Sequence, residues 1–192
     1  DALAAAHQML ESIPEDFYAG YAPIVDAYSS IEVECMLRFG QWDRLLNHPE
    51  PRADLPITRA MWRFGRAAAH AAKGDTKAAR AEQQRFRDYA AKVPPNAMMA
   101  INPAEKVLRI ADHMLEGEIL FREGRVDESV KSLRAAIEIE DTLQYMEPPD
   151  WVQPVRHTLG AVLLDAGRPA EAAAEYREDL RHWPENGWSL FG

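Results

Sequence analysis

Apolar positions recur along this chain at three- and four-residue spacing, and no segment alternates apolar and polar residues as a half-buried strand does. The pattern predicts helices over 2–12, 16–39, 42–47, 57–73, 75–92, 103–123, 126–143, 151–166 and 169–182. Breakers fall between them: Pro14, Gly40, Pro49 with Pro51 and Pro56, Gly74, Pro94-Pro95, Gly124, Pro148-Pro149, Gly167 and Pro184. Pro23 has to kink the second helix or split it. Frequent alanine and few β-branched residues point the same way, so the expected class is all-α.

Paired helices with a glycine between them call for a search for repeats. Two segments, 113–141 and 156–186, align on Gly124 and Gly167. Gly117 and Gly160 then stand 7 before the turn glycine, Ser129 and Ala172 stand 5 after it, and Leu133 and Tyr176 stand 9 after it. Arg125 and Arg168 follow the glycines directly. This arrangement resembles the tetratricopeptide repeat (TPR), a 34-residue helix pair with Leu-Gly, small, aromatic and proline positions at set places. In the second segment Leu159-Gly160, Leu163, Gly167, Ala172, Tyr176 and Pro184 fill those places. Small residues at Gly160 and Ala172 let two helices approach while Leu163 and Tyr176 fill the space between.

The segment "NGWSLFG" supplies Trp188, Phe191 and Gly192 where a following first helix would begin. With a start at Asp1, this leads us to expect a piece of a longer array. Gly40 and Gly74 lie 34 apart and suggest two further units of poorer match. A frame anchored on Gly74 puts Arg63, Arg66 and His70 at packing positions, and burying those charges unpaired costs several kcal/mol. A frame on Phe64-Gly65 buries Met61, Phe64 and Ala68 instead, with the turn two residues late, and is preferred. The implied architecture is a right-handed superhelical solenoid of antiparallel helix pairs, about four units. Residues 1–100 form the degenerate hairpins, and 101–192 hold two well-matched units and the start of another. More narrowly, "MLRFGQWDRLLNHPEP", "RAMWRFGRAAAHAAKGD" and the stretch from Glu147 to Gly192 resemble the C-terminal part of long bacterial TPR proteins. In those proteins the histidine motifs that hint at chemistry lie upstream of this region.

Charge changes the picture locally. The net charge of −9 argues against nucleic acid as a partner. Residues 1–51 carry −7, residues 52–92 carry +6, and residues 93–192 carry −8. In the basic middle, Arg59, Arg63, Arg66 and Lys73 share one helical face. That face is either solvated or docks an acidic partner, a neighbouring part of the same protein included. No apolar run approaches the ~18 residues of a membrane span, so no membrane partner is expected. The compartment is left open between bacterial cytoplasm and periplasm. A single cysteine excludes an intramolecular disulfide, and Cys35 falls on the stripe Ile24, Tyr28, Ile31, Cys35, as a small core residue would.

Motifs for catalysis are missing. "AAKGDTKAA" lacks the glycine and Gly-Lys-Ser/Thr order of a phosphate loop, and no G-x-S-x-G elbow occurs. The six histidines show no paired metal spacing, and His113 with Glu116 needs two more ligands from elsewhere. No catalytic residue, metal or cofactor is assigned.

What remains is surface. The TPR resemblance implies a concave face lined by first helices, across which peptides lie. Register then selects Met114, Glu118, Phe121 and Arg122 from one unit, and His157, Ala161, Leu164 and Asp165 from the next. Phe121 and Leu164 would hold an apolar anchor, Arg122 a carboxylate, and Glu118 or Asp165 a basic group. Alternatively Glu118 and Arg122 are only an i,i+4 contact.

Between Gly124 and Gly167 lie nine residues more than one unit, around "YMEPPDW". The pattern accounts for part of them as an extra helical turn through Thr142–Tyr145, stopped by Pro148-Pro149. Asp150 then reads as an N-cap, Gln153 as its capping-box partner, and Pro154 as a first-turn residue. Tyr145 and Trp151 either staple the helices or form one wall of a binding site. The expected function is a non-catalytic scaffold that binds a protein or peptide. The rival is the supporting wall of a larger ligand- or metal-binding enzyme whose active residues lie upstream. Self-association through the terminal repeat is a further expectation.

Overall fold

A computed structural model describes residues 1–192, and the chain is all-helical apart from one minimal strand pair. The helices are α1 (Ala2–Glu11), α2 (Glu15–Tyr28), α3 (Ile31–Arg38), α4 (Trp42–Asn47), α5 (Pro56–Ala72) and α6 (Thr76–Ala90). Strands β1 (Met98–Met99) and β2 (Asn102–Pro103) follow, then α7 (Ala104–Arg122), α8 (Val126–Glu140), α9 (Val155–Asp165), α10 (Pro169–His182) and α11 (Gly187–Phe191). No helix is long and apolar enough to cross a membrane.

Four glycines set the hairpins. Gly40, Gly74, Gly124 and Gly167 all have positive φ, a conformation a side chain would strain. After each, the next N–H bonds back to the carbonyl five residues earlier: Gln41 to Met36, Asp75 to His70, Arg125 to Leu120 and Arg168 to Leu163. This is the Schellman closure, which satisfies carbonyls the helix end leaves free. The three longest pairs, α5 with α6, α7 with α8 and α9 with α10, pack as hairpins across these turns. Their shared core runs unbroken across residue 100, from Ile57 through Leu115 and Leu133 to Tyr176. A smaller cluster of Val33, Met36, Leu45, Trp62 and Ala69 fastens α3 and α4 to the outer side of α5.

Several expectations change. The helix expected over 16–39 is two, because the chain breaks at Ser29-Ser30, where the Ser29 hydroxyl donates to the Val25 carbonyl at 2.7 Å. The kink attributed to Pro23 appears at Tyr21 (φ −133°, ψ 26°). The break re-aims α3, so Val33 and Met36 are buried, while Ile24 and Tyr28 are exposed and Cys35 is only half-buried. The Cys35 stripe is therefore not core. The preferred repeat frame keeps its late turn, but the charges of the rejected frame are not kept out. Met61, Phe64 and Ala68 are buried as expected, and α5 turns on Gly74 and α6 starts two residues later, as α8 and α10 do after Gly124 and Gly167. Arg63 and Arg66 also sit at packing positions, and a carboxylate compensates them: Glu82 of α6, 3% exposed, accepts from Arg63 at 3.0 Å and Arg66 at 3.3 Å.

The basic face finds its acidic partner within the chain. Lys73 pairs with Asp43 and Arg59 with Glu50. On α6, Arg80 reaches Glu116 of α7 and Glu123 just past its end, and Arg87 reaches Asp112. Segregated charge thus aligns neighbouring helices.

The insert is not helix. α8 ends at Glu140, so the extra turn through Tyr145 does not form, and the Glu147–Pro148 peptide is cis. Asp150 is not an N-cap, since α9 starts only at Val155 behind Pro154. The Glu140 carboxylate accepts from the Val155 N–H at 3.1 Å instead, from across the preceding hairpin. Asp26 of α2 does the same for α5, accepting from the backbone of Ile57 and Thr58, both at 2.8 Å. A carboxylate at a helix N-terminus satisfies free donors and opposes the dipole, whichever segment supplies it.

Candidate binding cavity on the inner face

Where α5 and α7 lie side by side, their inner faces do not form an open trough. Met61, Phe64 and Ala68 of α5 and Met114 and Glu118 of α7 make a floor. Leu37 and Arg38 of α3 and Trp42 of α4 close one side, and the insert's Asp150, Trp151 and Val152 close another. The result is a cavity of about 590 Å³, its open mouth included.

The insert is held over the cavity by Asn102, a residue the sequence pattern gave no reason to choose. Asn102 is 1% exposed. Its amide donates to Asp150 Oδ2 at 2.8 Å and to the Gln144 carbonyl at 3.1 Å, and its Oδ1 accepts from the Gln144 N–H at 2.8 Å. The tight β1–β2 turn, with Ala100 at φ 45°, brings Asn102 to that spot. Trp151 packs edge-on against Phe64 with centroids 5.7 Å apart, and its buried Nε1 has no hydrogen-bond partner. Trp151 therefore both staples the insert and walls the cavity.

Three carboxylates face this apolar space. Asp150 is engaged by Asn102. Glu34 accepts from the Ser30 hydroxyl at 2.7 Å, yet burial pushes its carboxyl up, and the charge of Asp150 adds to the shift. Glu118 meets no protein donor. It forms no ion pair with Arg122, whose guanidinium lies over the Phe121 ring at 5.7 Å. Burial pushes the Glu118 carboxyl up to about 7, against a small opposing pull from Arg122. The i,i+4 pairing of Glu118 with Arg122 is absent.

The lone cation at the rim is committed elsewhere. Arg38 donates to His157 Nδ1 at 3.3 Å and lies over the Trp188 ring at 4.4 Å. Because arginine only donates, His157 Nδ1 accepts and its Nε2–H donates to Asp179 Oδ2 at 3.0 Å. Ser189 donates to the same oxygen at 2.6 Å. Although burial raises it, those two donors hold the Asp179 carboxyl below the usual carboxylate range. Serine and histidine both point at the carboxylate rather than at each other, so no nucleophile–base hydrogen bond forms. The cluster ties α3, α9, α10 and α11 together.

No family model, curated protein or solved structure matches the chain.

Of the residues selected by repeat register, Met114 and Glu118 line the cavity, and Trp151, selected as an insert aromatic, joins them. Tyr145 stands apart, stacked on Trp183 at 6.0 Å beside a second, more polar hollow. His157 is buried in the Asp179 cluster and presents no surface for a peptide. Phe121 packs against the core, and Leu164 is exposed. His113 and Glu116 gain no third His, Cys or carboxylate, and Glu116 is bound by Arg80 and Gln83. Glu34, Arg38, Trp42 and Asp150 were missed as cavity residues. Nothing local marks them, because α3 and the insert reach the site only through tertiary packing.

Proposed function

We propose that this chain is a non-catalytic binding module: an array of TPR-like helix pairs, about four in a right-handed solenoid, that engages a protein or peptide partner on its inner face. The observation that carries the reading is the Glu118 carboxylate, set in a largely apolar cavity with no protein donor to satisfy it. Glu118 is half-buried and its oxygens are not among the sealed, unpartnered atoms, so the carboxyl stays open to a ligand through the cavity mouth. The cavity's enclosure by α3 and the insert favours capture of one side chain or chain end over an extended peptide laid along a groove.

The test is selection from a displayed random-peptide library, with affinities measured against the wild type and Ala68→Leu, which fills the floor. Peptides that bind the wild type and lose about tenfold or more on Ala68→Leu of matched melting temperature, a cost of about 1.4 kcal/mol, support the reading. No enriched peptide, or equal binding to both, sinks it.

A second reading has one observation behind it. Leu190 and Phe191 of α11 are 64% and 95% exposed, an apolar tip suited to self-association. Sedimentation equilibrium of the wild type beside Leu190→Ser/Phe191→Ser tests it: a concentration-dependent mass lost in the variant supports association, and a constant monomer mass excludes it.

A further inference from the structure

The chemistry of the inner-face cavity allows its occupant to be specified, an inference that rests on the binding-module reading. We propose that the cavity recognises an alkylammonium group carried on an apolar or aromatic stem, with Glu118 as its counter-ion and Trp42, Phe64 and Trp151 as its walls.

Charge gives the first argument. Glu34, Glu118 and Asp150 face the space, and Arg38 alone opposes them. Arg38 is turned away onto His157 and Trp188, so an anion entering the cavity meets three acids and no free cation. A neutral apolar guest fits the walls but seals the Glu118 carboxylate from water without replacing its solvation. An ammonium supplies the missing donor, and a charge-assisted hydrogen bond in such surroundings is about twice as strong as a neutral one.

The walls give a second, independent argument. Trp42, Phe64 and Trp151 are aromatic, and their ring faces attract a cation while their bodies bury its stem. Leu37, Met61 and Met114 extend the apolar lining along that stem. A bare divalent ion is the wrong guest, since it takes six or more oxygen ligands and no group of three potential metal ligands converges here.

Protonation supports the assignment. A carboxyl held near 7 by burial gives up its proton when a cation arrives, so affinity should rise between pH 6 and 8 with protons released. Glu34, Arg38, Arg122 and Asp150 are the other charged groups facing Glu118, and Glu118→Gln separates its contribution from theirs.

The same chemistry has two sources, a free amine or a lysine side chain of a partner. Isothermal titration of the intact chain separates them with five probes. Three are small: 2-phenylethylammonium, 2-phenylethanol and phenylacetate. Two are blocked pentapeptides of alanine with a central lysine or a central norleucine. The expected result is an ammonium preference over the alcohol of about tenfold or more, phenylacetate being weakest, with that preference lost in Glu118→Gln shown by its cooperative melting to be folded at the titration pH. A lysine peptide that binds while the norleucine peptide does not identifies a protein side chain as the source. Free amine binding with neither peptide bound identifies a small molecule, and the peptide reading then falls while this one stands.

Equal binding of amine and alcohol, absence of any cation binding, or a preference that survives Glu118→Gln overturns the proposal. If library-selected peptides need the open cavity but no basic residue, this proposal falls and the module reading stands.

Discussion

The hairpins α5–α6 and α7–α8 share one turn and one register, yet they fill the space between their helices with opposite chemistry. In α7–α8, Gly117 lets Leu133 lie against the backbone, and the Ser129 hydroxyl donates to the Gly117 carbonyl at 2.7 Å. The α9–α10 pair repeats this with Gly160 against the Tyr176 ring. In α5–α6 the corresponding positions are Ala67, Ala79 and Gln83, all buried, with Arg63, Arg66 and Glu82 beside them. The glycine of α5 serves another neighbour, since a Cβ on Gly65 would lie 2.7 Å from Leu45 and 2.8 Å from Val33. The backbone register is set by the glycine turn, and the interior accepts either apolar fill or an ionic set gathered on Glu82. What it does not accept is half of either.

Removing half of the ionic set should have the largest effect. Glu82→Ala leaves Arg63 and Arg66, 13% and 20% exposed, with only the longer contact of Arg63 to Glu50 at 3.7 Å and the Leu46 carbonyl on Arg66. Urea denaturation should show a loss of about 3 kcal/mol, against less than about 1 kcal/mol for an exposed pair such as Arg125–Glu128. Equal losses would mean that the buried set is solvated after all.

On the apolar side, Gly117→Ala places a methyl 2.6 Å from Leu133 Cγ. Overpacking of this kind should cost about 2 kcal/mol in the same assay, and Ala67→Gly in α5 should cost less, about 1 kcal/mol, from helix propensity alone. A larger loss at Ala67 would reverse the contrast between the hairpins.

The insert between the well-matched pairs tests the third case, polar closure. Asn102→Ala removes three hydrogen bonds to Gln144 and Asp150, for a loss of about 1–3 kcal/mol. Amide exchange should quicken over 144–153 and leave α7 and α8 slow. Uniform quickening would show that the insert is not held by Asn102.

A further effect depends on pH. Glu118 titrates near 7 in the fold and at 4.5 as an ordinary glutamate, so the folded state binds more protons between those values. Stability from this group is therefore full below about 4.5 and falls as pH rises toward 7. Melting of Glu118→Gln and wild type should coincide at pH 4 and diverge in favour of the variant by pH 8. Divergence in the opposite sense would place Glu118 in an ion pair.

Most of this architecture was legible because it is local. Gly74, Gly124 and Gly167 announce their turns, and apolar spacing announces the helices they join. Reading failed where a local rule had a tertiary competitor. Asp150 with Gln153 reads as a capping box, but Asn102, 48 residues away, takes the carboxylate, and Glu140 supplies the cap. Arg63 and Arg66 were set aside as too costly to bury, because Glu82 is not visible as their partner until α6 folds back. Of the cavity residues, Met114 and Glu118 were found from register and Trp151 from the insert. His157, Phe121 and Leu164 were selected by register too, because register fixes a helix face and not what covers it, and Tyr145 was selected with Trp151 although it stacks on Trp183 instead.

By itself, then, the sequence determined the helices, the glycine turns and the pairing of neighbours, since each depends on residues a few positions apart. The tertiary structure decided that the space beside α5 and α7 is a walled cavity with one mouth rather than a groove. Its walls come from α3 and an insert more than a hundred residues later, held by Asn102, and Glu118 is known to lack a donor only when every possible partner has been placed.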